Sequence, residues 1–319
     1  MKIALITPAG TGSRAGNRHT AMRWASFLRA AGHRVTVATE WLPDLPTDFM
    51  LALHARRSHV SIRDFREAYA DRPLLLALTG TDVYRDIRIS EAARESLRLA
   101  SAFVVLQSRA IEQLPLSLRG RAHTVVQSCS SRLQHKPAAR RFRLSVIGHL
   151  REEKDPLCAL RALDLVPQET RTELIQIGEA LEARFADAAR SGMGREPRYR
   201  WLGSVPHARA LRWLATSHAM IISSRMEGGA NVVSEAIRIG VPVIASRIPG
   251  NVGLLGEDYP AYFATGNARA LAALVRRTAS DRAFYRQLKR HIAKLRPMVA
   301  PENEARLLLA AIRAAQGPS

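Results

Sequence analysis

Two glutamates, Glu227 and Glu235, stand eight residues apart in SSRMEGGANVVSEAIRIGVPVIAS, the segment from Ser223 to Ser246. Glu227 precedes a double-glycine turn, and the pattern after it predicts a helix that carries Glu235 about one turn inside, so both carboxylates can face one ligand. A carboxylate there accepts hydrogen bonds from two vicinal hydroxyls. Backbone N–H groups of Gly228, Gly229 and Ala230, with Asn231, can hold a phosphate or a sugar at the helix start. Taken alone, two glutamates on a loop and a helix are more often a capping or salt-bridged pair.

A second constellation, PAGTGSRAGNR from Pro8 to Arg18, follows the first apolar run. Gly10, Gly12 and Gly16 permit close backbone approach, and Arg14, Asn17 and Arg18 at a helix start can hold an anion. The spacing is GxGxxxG and not the dinucleotide GxGxxG, although Glu40 ends the second strand where a ribose-binding acid would stand, which keeps a nicotinamide-dependent enzyme as an alternative. His54, Arg56 and Arg57 close the third apolar run, and LTGTD, with Thr79, Gly80 and Asp82, closes the fourth.

These residues sit on a repeating scaffold. Short runs rich in branched residues recur: KIALIT, RVTVAT, FMLALH, PLLLALT, AFVVLQ and HTVVQS, then RLSVIGH, TELIQIG, YRWLG, HAMIISS, VPVIAS and a short AYF. Most are apolar on both faces, as strands covered by helices on two sides must be. Amphipathic stretches such as NRHTAMRWASFLRAAGH separate them, which predicts two doubly wound, Rossmann-like parallel-sheet halves. The polar, proline-containing stretch LQHKPAARR divides them. We expect an N-terminal domain over 1–135, a C-terminal domain over 142–300 and a last helix over 301–319 packing on either, with a site in the cleft that the strand ends of both halves face.

The chain has 319 residues, 47% hydrophobic and 24% charged, a globular composition that excludes wholesale disorder. Its formal charge is +20, and with five lysines most of that is dispersed arginine without a basic tail or an aromatic RNA-binding strand. Charge alone therefore suggests only a nucleic-acid binder as a reading from another class, beside anionic small substrates. Two cysteines, Cys129 and Cys158, give no disulfide framework or CxxC metal knuckle. No signal peptide or spanning segment is readable, so a cytoplasmic setting is expected.

EGGANVVSEAIRIGVPVIAS resembles the acid-x7-acid segment of retaining GT-B glycosyltransferases of the group 1 type. GHLREEKDP, from Gly148 to Pro156, resembles their GRLxxEKG, and YRWLGSVPHARALRWLATSHAMIISS their FLGxV stretch. SRAGNRHTAMRWASFLRAAGHRV, LALHARRS, LTGTDVYRD and SRIPGNVGLLGEDYP extend the likeness along the chain to the selenosugar synthases of selenoneine biosynthesis. That resemblance implies transfer of N-acetylglucosamine or glucose from a UDP-sugar to selenophosphate, with release of UDP and phosphate and no cofactor. It implies that Lys154 holds the diphosphate, Glu235 the ribose hydroxyls, and Glu227 with Gly228 to Asn231 the donor sugar.

His149 replaces the arginine of that motif, so either its protonated form or Arg151 or Arg225 must supply the charge. No two aspartates are two residues apart and no HExxH occurs, so metal-free departure of UDP is expected, driven by Lys154, arginine and a helix start. Catalysis is expected of Lys154, Glu227, Arg18 and Asp82, the last positioning water to cleave the selenium–phosphorus bond. Acceptor binding is expected of Gly12, Arg14, Asn17, Arg18, His54, Arg56, Thr79 and Gly80. The enzymatic alternative is a GT-B transferase with a sugar or lipid hydroxyl acceptor, for which the basic stretch Asp281 to Arg296 offers a membrane-facing surface.

Overall fold

A computed structural model describes residues 1–10 and 16–317, and it divides into two compact units, Met1–Gln127 with the segment from Pro301, and Ser128–Ala300. The first unit holds six parallel strands: β1 (Lys2–Ile6), β2 (Arg34–Ala38), β3 (Phe49–Leu53), β4 (Leu74–Leu78), β5 (Ala102–Val105) and β6 (Ala122–Thr124). Their order is β2-β1-β3-β4-β5-β6. The side-chain period of two sends Ile3 and Leu5 of β1, and Phe49, Leu51 and Leu53 of β3, into one core with Trp24 and Leu28. Ala4, Ile6, Met50 and Ala52 enter the core on the other face, with Phe65 and Phe103. Both faces are thus covered, which explains why β3 and β4 read as unbroken apolar runs. At the edge, β2 is partly exposed and its alternation shows.

The second unit holds β7 (Phe142–Ile147), β8 (Thr172–Ile177), β9 (Tyr199–Trp201), β10 (Ala219–Ile222), β11 (Val243–Ser246) and β12 (Tyr262–Phe263), all parallel, in the order β12-β11-β10-β7-β8-β9. Sequence order reverses between β7 and β10. Such a reversal opens a crevice at the carboxyl ends of the two strands. The polar segment before β7 is fastened to this unit, with the N–H groups of His135, Lys136 and Ala138 bonded to the carbonyls of Ile239, Ala215 and Thr216.

The helix Arg282–Leu295 buries Phe284, Leu288 and Ile292 and leaves Arg282, Arg286, Lys289, Arg290 and Lys294 exposed. Its large apolar side chains are therefore spent inward, and the outer face is charged. Among the described residues no helix is long and apolar enough to cross a membrane.

The last helix, Pro301–Ala315, returns to the first unit and buries Leu308, Ala311, Ile312 and Ala315 in the core beside Trp24. Glu304, with no exposed surface, accepts hydrogen bonds from Arg23 Nε at 2.8 Å and from Trp24 Nε1 at 2.7 Å. Removing one partner of such a buried pair strands the other. Glu304→Ala is expected to cost about 3 kcal/mol, read as an earlier unfolding midpoint in urea with little change in slope.

Candidate active site

The second unit's site is built on the reversal between β7 and β10. Gly148 follows β7 with φ +155, and Gly178 follows β8 with φ +147. A Cβ on Gly178 would lie 1.9 Å from the Gly148 carbonyl oxygen, so the two strand ends approach as only glycine allows. Beyond Gly148, a short turn at Glu152–Lys154 ends on Asp155 in the left-handed region at φ 40. Three contacts from the end of β10 hold this turn. The Ser223 hydroxyl donates to the carbonyls of Lys154 at 3.1 Å and Asp155 at 3.0 Å, and the Arg225 N–H donates to Glu153 O at 2.8 Å.

Lys154 Nζ is thereby delivered to Glu227, donating to its Oε1, which also accepts from the Ser224 hydroxyl at 2.6 Å. The carboxylate is 8% exposed and the lysine side chain 22%, so the pair is shielded but open on one side. Gly148, His149, Lys154, Ser223 and Ser224 line a small cavity together with Gln176 and Ile222. From the far side, a Cβ at Gly250 would fall 2.1 Å from Glu227 O, and Ser246 Oγ donates to Ser224 O at 2.6 Å. Burial, reinforced by Asp155, pushes the neighbouring Cys158 thiol up to about 11, so it stays protonated at neutral pH.

After the Gly228–Gly229 turn, the helix Asn231–Ile239 begins at Ala230, with no side-chain cap bond. An alanine at that position cannot cap the helix with its side chain as Ser or Asp would, and the amino end of a helix favours an anion. Glu235 lies within this helix, and its Oε1 is 2.8 Å from Nε2 of His207, the first residue of the helix His207–Ala215. The hydrogen bond to Glu235 raises the His207 pKa against a smaller opposing effect of burial.

His149 behaves in the opposite sense. Burial holds its pKa below the ordinary value, Glu179 opposes this, and Arg151 and Lys154 reinforce it. Its Nδ1 is buried without a partner, so at neutral pH it offers a hydrogen-bonding imidazole and no charge. Of the cationic alternatives, Arg151 is half-buried and lies 3.9 Å from Glu153, and Arg225 is exposed and lies 3.6 Å from Asp155.

In the first unit, Gly12 and Arg14 lie outside the described residues. Asn17 and Arg18 stand in the first turn of the helix Gly16–Ala30, partly exposed. His54 ends β3 at the reversal between β1 and β3, buried and at φ 77, a conformation that costs a non-glycine residue about 1–3 kcal/mol. Its Nδ1 is 3.9 Å from Asp82 and its Nε2 3.8 Å from Asp86. Burial lowers the His54 pKa, with Asp82 and Asp86 opposing and Arg57 and Arg56 adding to the fall. Burial pushes the Asp86 carboxyl up, but the bond from Arg56 and that from Arg85 outweigh it and leave it below its ordinary value.

Asp82 is fully buried and accepts from the N–H groups of Gly80 at 2.7 Å, Ala55 at 3.1 Å and Thr79 at 3.3 Å. Those bonds engage both oxygens and suit holding the strand-end turns better than aiming a water. Among the described residues, the hydroxyls of Thr7 and Thr79, at the ends of β1 and β4, are buried without a hydrogen-bond partner.

The residues in positions 131–295, just over half of the chain, match the family of glycosyl transferases group 1. The chain belongs to that family. Solved structures share the whole architecture, and the fold is GT-B. HepE from Anabaena, solved with UDP and glucose, superposes with a TM-score of 0.74 at 15% identity, over 98% of this chain and 99% of that one. Sucrose-phosphate synthase from Thermosynechococcus elongatus gives 0.79 at 16% identity over 98% of each chain. The lipopolysaccharide outer core galactosyltransferase WaaB gives 0.67 at 14%, over 97% and 99%.

In this glycosyltransferase the structure joins Lys154 to Glu227 and sets Glu235 on the helix that follows. It also adds residues that the sequence reading passed over. Ser223 and Ser224 were visible only as the end of a strand, Gly250 as one glycine in SRIPGN, and His207 as a lone histidine 28 positions from its partner. Gly250→Ala, forcing Glu227 aside, is expected to cost about 2 kcal/mol of stability. Gly120→Ala, with open space around a φ of −64, should be neutral or slightly stabilising, and urea unfolding of both checks the contrast.

Proposed function

We propose that this glycosyltransferase moves a sugar, N-acetylglucosamine or glucose, from a UDP-sugar to selenophosphate, forming a carbon–selenium bond and releasing UDP and then phosphate. The observation that carries the donor half is the Lys154–Glu227 pair at the β7/β10 reversal, beside a helix start with no side-chain cap bond. As the anomeric carbon–oxygen bond breaks, negative charge gathers on the departing diphosphate, and the Lys154 ammonium with the Asn231–Ile239 helix start opposes it. Glu227 sits where a sugar hydroxyl can donate to it, and Glu235 accepts from the ribose hydroxyls. HepE has also been solved with UDP-glucose, which supports the choice of donor.

The acceptor half rests on the resemblance of SRAGNRHTAMRWASFLRAAGHRV, LALHARRS and LTGTDVYRD to selenosugar synthases, with two partnerless buried hydroxyls, Thr7 and Thr79, suited to a small oxyanion. Selenophosphate arrives anionic, so its selenium needs no base to attack. A selenium lone pair forms the new bond to carbon while UDP leaves with the electron pair of the old one. Water oxygen then bonds to phosphorus, selenium keeps the electrons of the broken selenium–phosphorus bond and takes one water proton to become the selenol, and inorganic phosphate departs with the other. Asn17, Arg18 and Arg56 are proposed to hold the acceptor phosphate, and Asp82 to fix the turn that presents Thr79 and Gly80. Metal-free transfer is part of the proposal.

The test is incubation of the purified protein, in chelator, with UDP-N-acetylglucosamine or UDP-glucose and selenophosphate, followed by mass spectrometry for a seleno sugar. Product is expected. A protein that turns over the UDP-sugar only when a hydroxyl acceptor is added refutes the selenium assignment, and activity that chelator abolishes refutes the metal-free one. Lys154→Ala should lower kcat by roughly a hundredfold or more, whereas Glu235→Ala should act chiefly on donor KM.

A further inference from the structure

The exposed imidazole of His207 has no place in the reaction above, yet its Nε2 lies 2.8 Å from the carboxylate proposed to read the ribose. Glu235 carries several rotatable bonds on a helix face, and ordering such a side chain for a diol costs entropy at the moment of binding. A carboxylate already held through one oxygen loses less when the ligand arrives.

The local structure is suited to that holding. The Pro206 ring, at φ −55, sets the start of the helix His207–Ala215, and its carbonyl accepts from the N–H groups of Arg209 at 2.8 Å and Ala210 at 3.1 Å. The imidazole thus springs from the first residue of a helix packed against the one that carries Glu235. The Glu235 side chain is only 14% exposed while that of His207 is 58% exposed, so the histidine approaches the carboxylate from the solvent side.

We infer that His207 is a positioning residue for the nucleotide ribose, fixing the Glu235 carboxylate in the orientation that accepts the two vicinal hydroxyls. The inference rests on the nucleotide reading of Glu235 and deepens it. In this role His207 acts through Glu235 and not on the reacting groups, so its loss should change donor affinity and leave the chemical step alone. The raised pKa of His207 agrees with a bond made to a charged partner.

The test measures UDP binding by calorimetry and steady-state kinetics on full-length His207→Ala, His207→Gln and Glu235→Ala. His207→Ala is expected to weaken UDP binding and raise donor KM about tenfold, the worth of one hydrogen bond to a charged group at 1.4 kcal/mol per decade, with kcat held within twofold. His207→Gln, whose amide nitrogen can replace Nε2, is expected to recover most of that loss, which a merely structural role would not predict. UDP affinity unchanged in His207→Ala while Glu235→Ala weakens it overturns the role of His207 and leaves the nucleotide site standing. UDP affinity unchanged in Glu235→Ala overturns the nucleotide reading of Glu235 and this inference with it. A fall in kcat at constant KM in His207→Ala overturns the inference by placing the histidine in the chemical step.

Discussion

An ammonium and a carboxylate meeting across the β7/β10 reversal organise the second unit. Lys154 follows β7, Glu227 follows β10, and the two strands are hydrogen-bonded neighbours. Neither charge would be tolerable half-buried alone, and the pair is tolerable because Ser224 satisfies the carboxylate further and one side stays open to water. The ends of four strands close on this contact. Gly178 lets β8 approach β7, Ser223 ties the lysine turn to β10, Ser246 reaches in from the end of β11, and Gly250 from the helix after it. A lysine fixed in this way does not have to be gathered by its substrate, which is how an electrostatic group contributes most to a barrier.

The first unit uses its strand ends differently. There the buried carboxylates are already engaged, Asp82 by backbone N–H groups and Asp86 by Arg56 and Arg85. His54 is forced into a left-handed backbone between them. Among the described residues, the hydroxyls of Thr7 and Thr79 at these strand ends are buried polar groups left without a hydrogen-bond partner.

Burial explains why the strands could be read from the chain. Strands covered on both faces have only one composition open to them, so FMLAL and LLLAL announce themselves, and the helical period carries Glu235 to its place with equal clarity. Contacts made by packing leave no such trace. Nothing near His207 names Glu235, and nothing in SRIPGN says that Gly250 must clear the Glu227 carbonyl. Asp82 looked like a chemical group because it stands at a strand end, and only the three N–H groups around it show its engagement. The basic stretch from Asp281 is a similar case, since its membrane-facing promise depended on which way Phe284, Leu288 and Ile292 point.

The return of the Pro301–Ala315 helix to the first unit sets an order of events during synthesis. Trp24 and Leu28 share a core with Leu308 and Ile312, although nearly the whole chain separates them in sequence. While the second unit emerges from the ribosome, the opening half must wait with part of its apolar face uncovered. That face is covered only after the Pro301–Ala315 helix has been made and has docked, so the first unit finishes folding after the second has been synthesised.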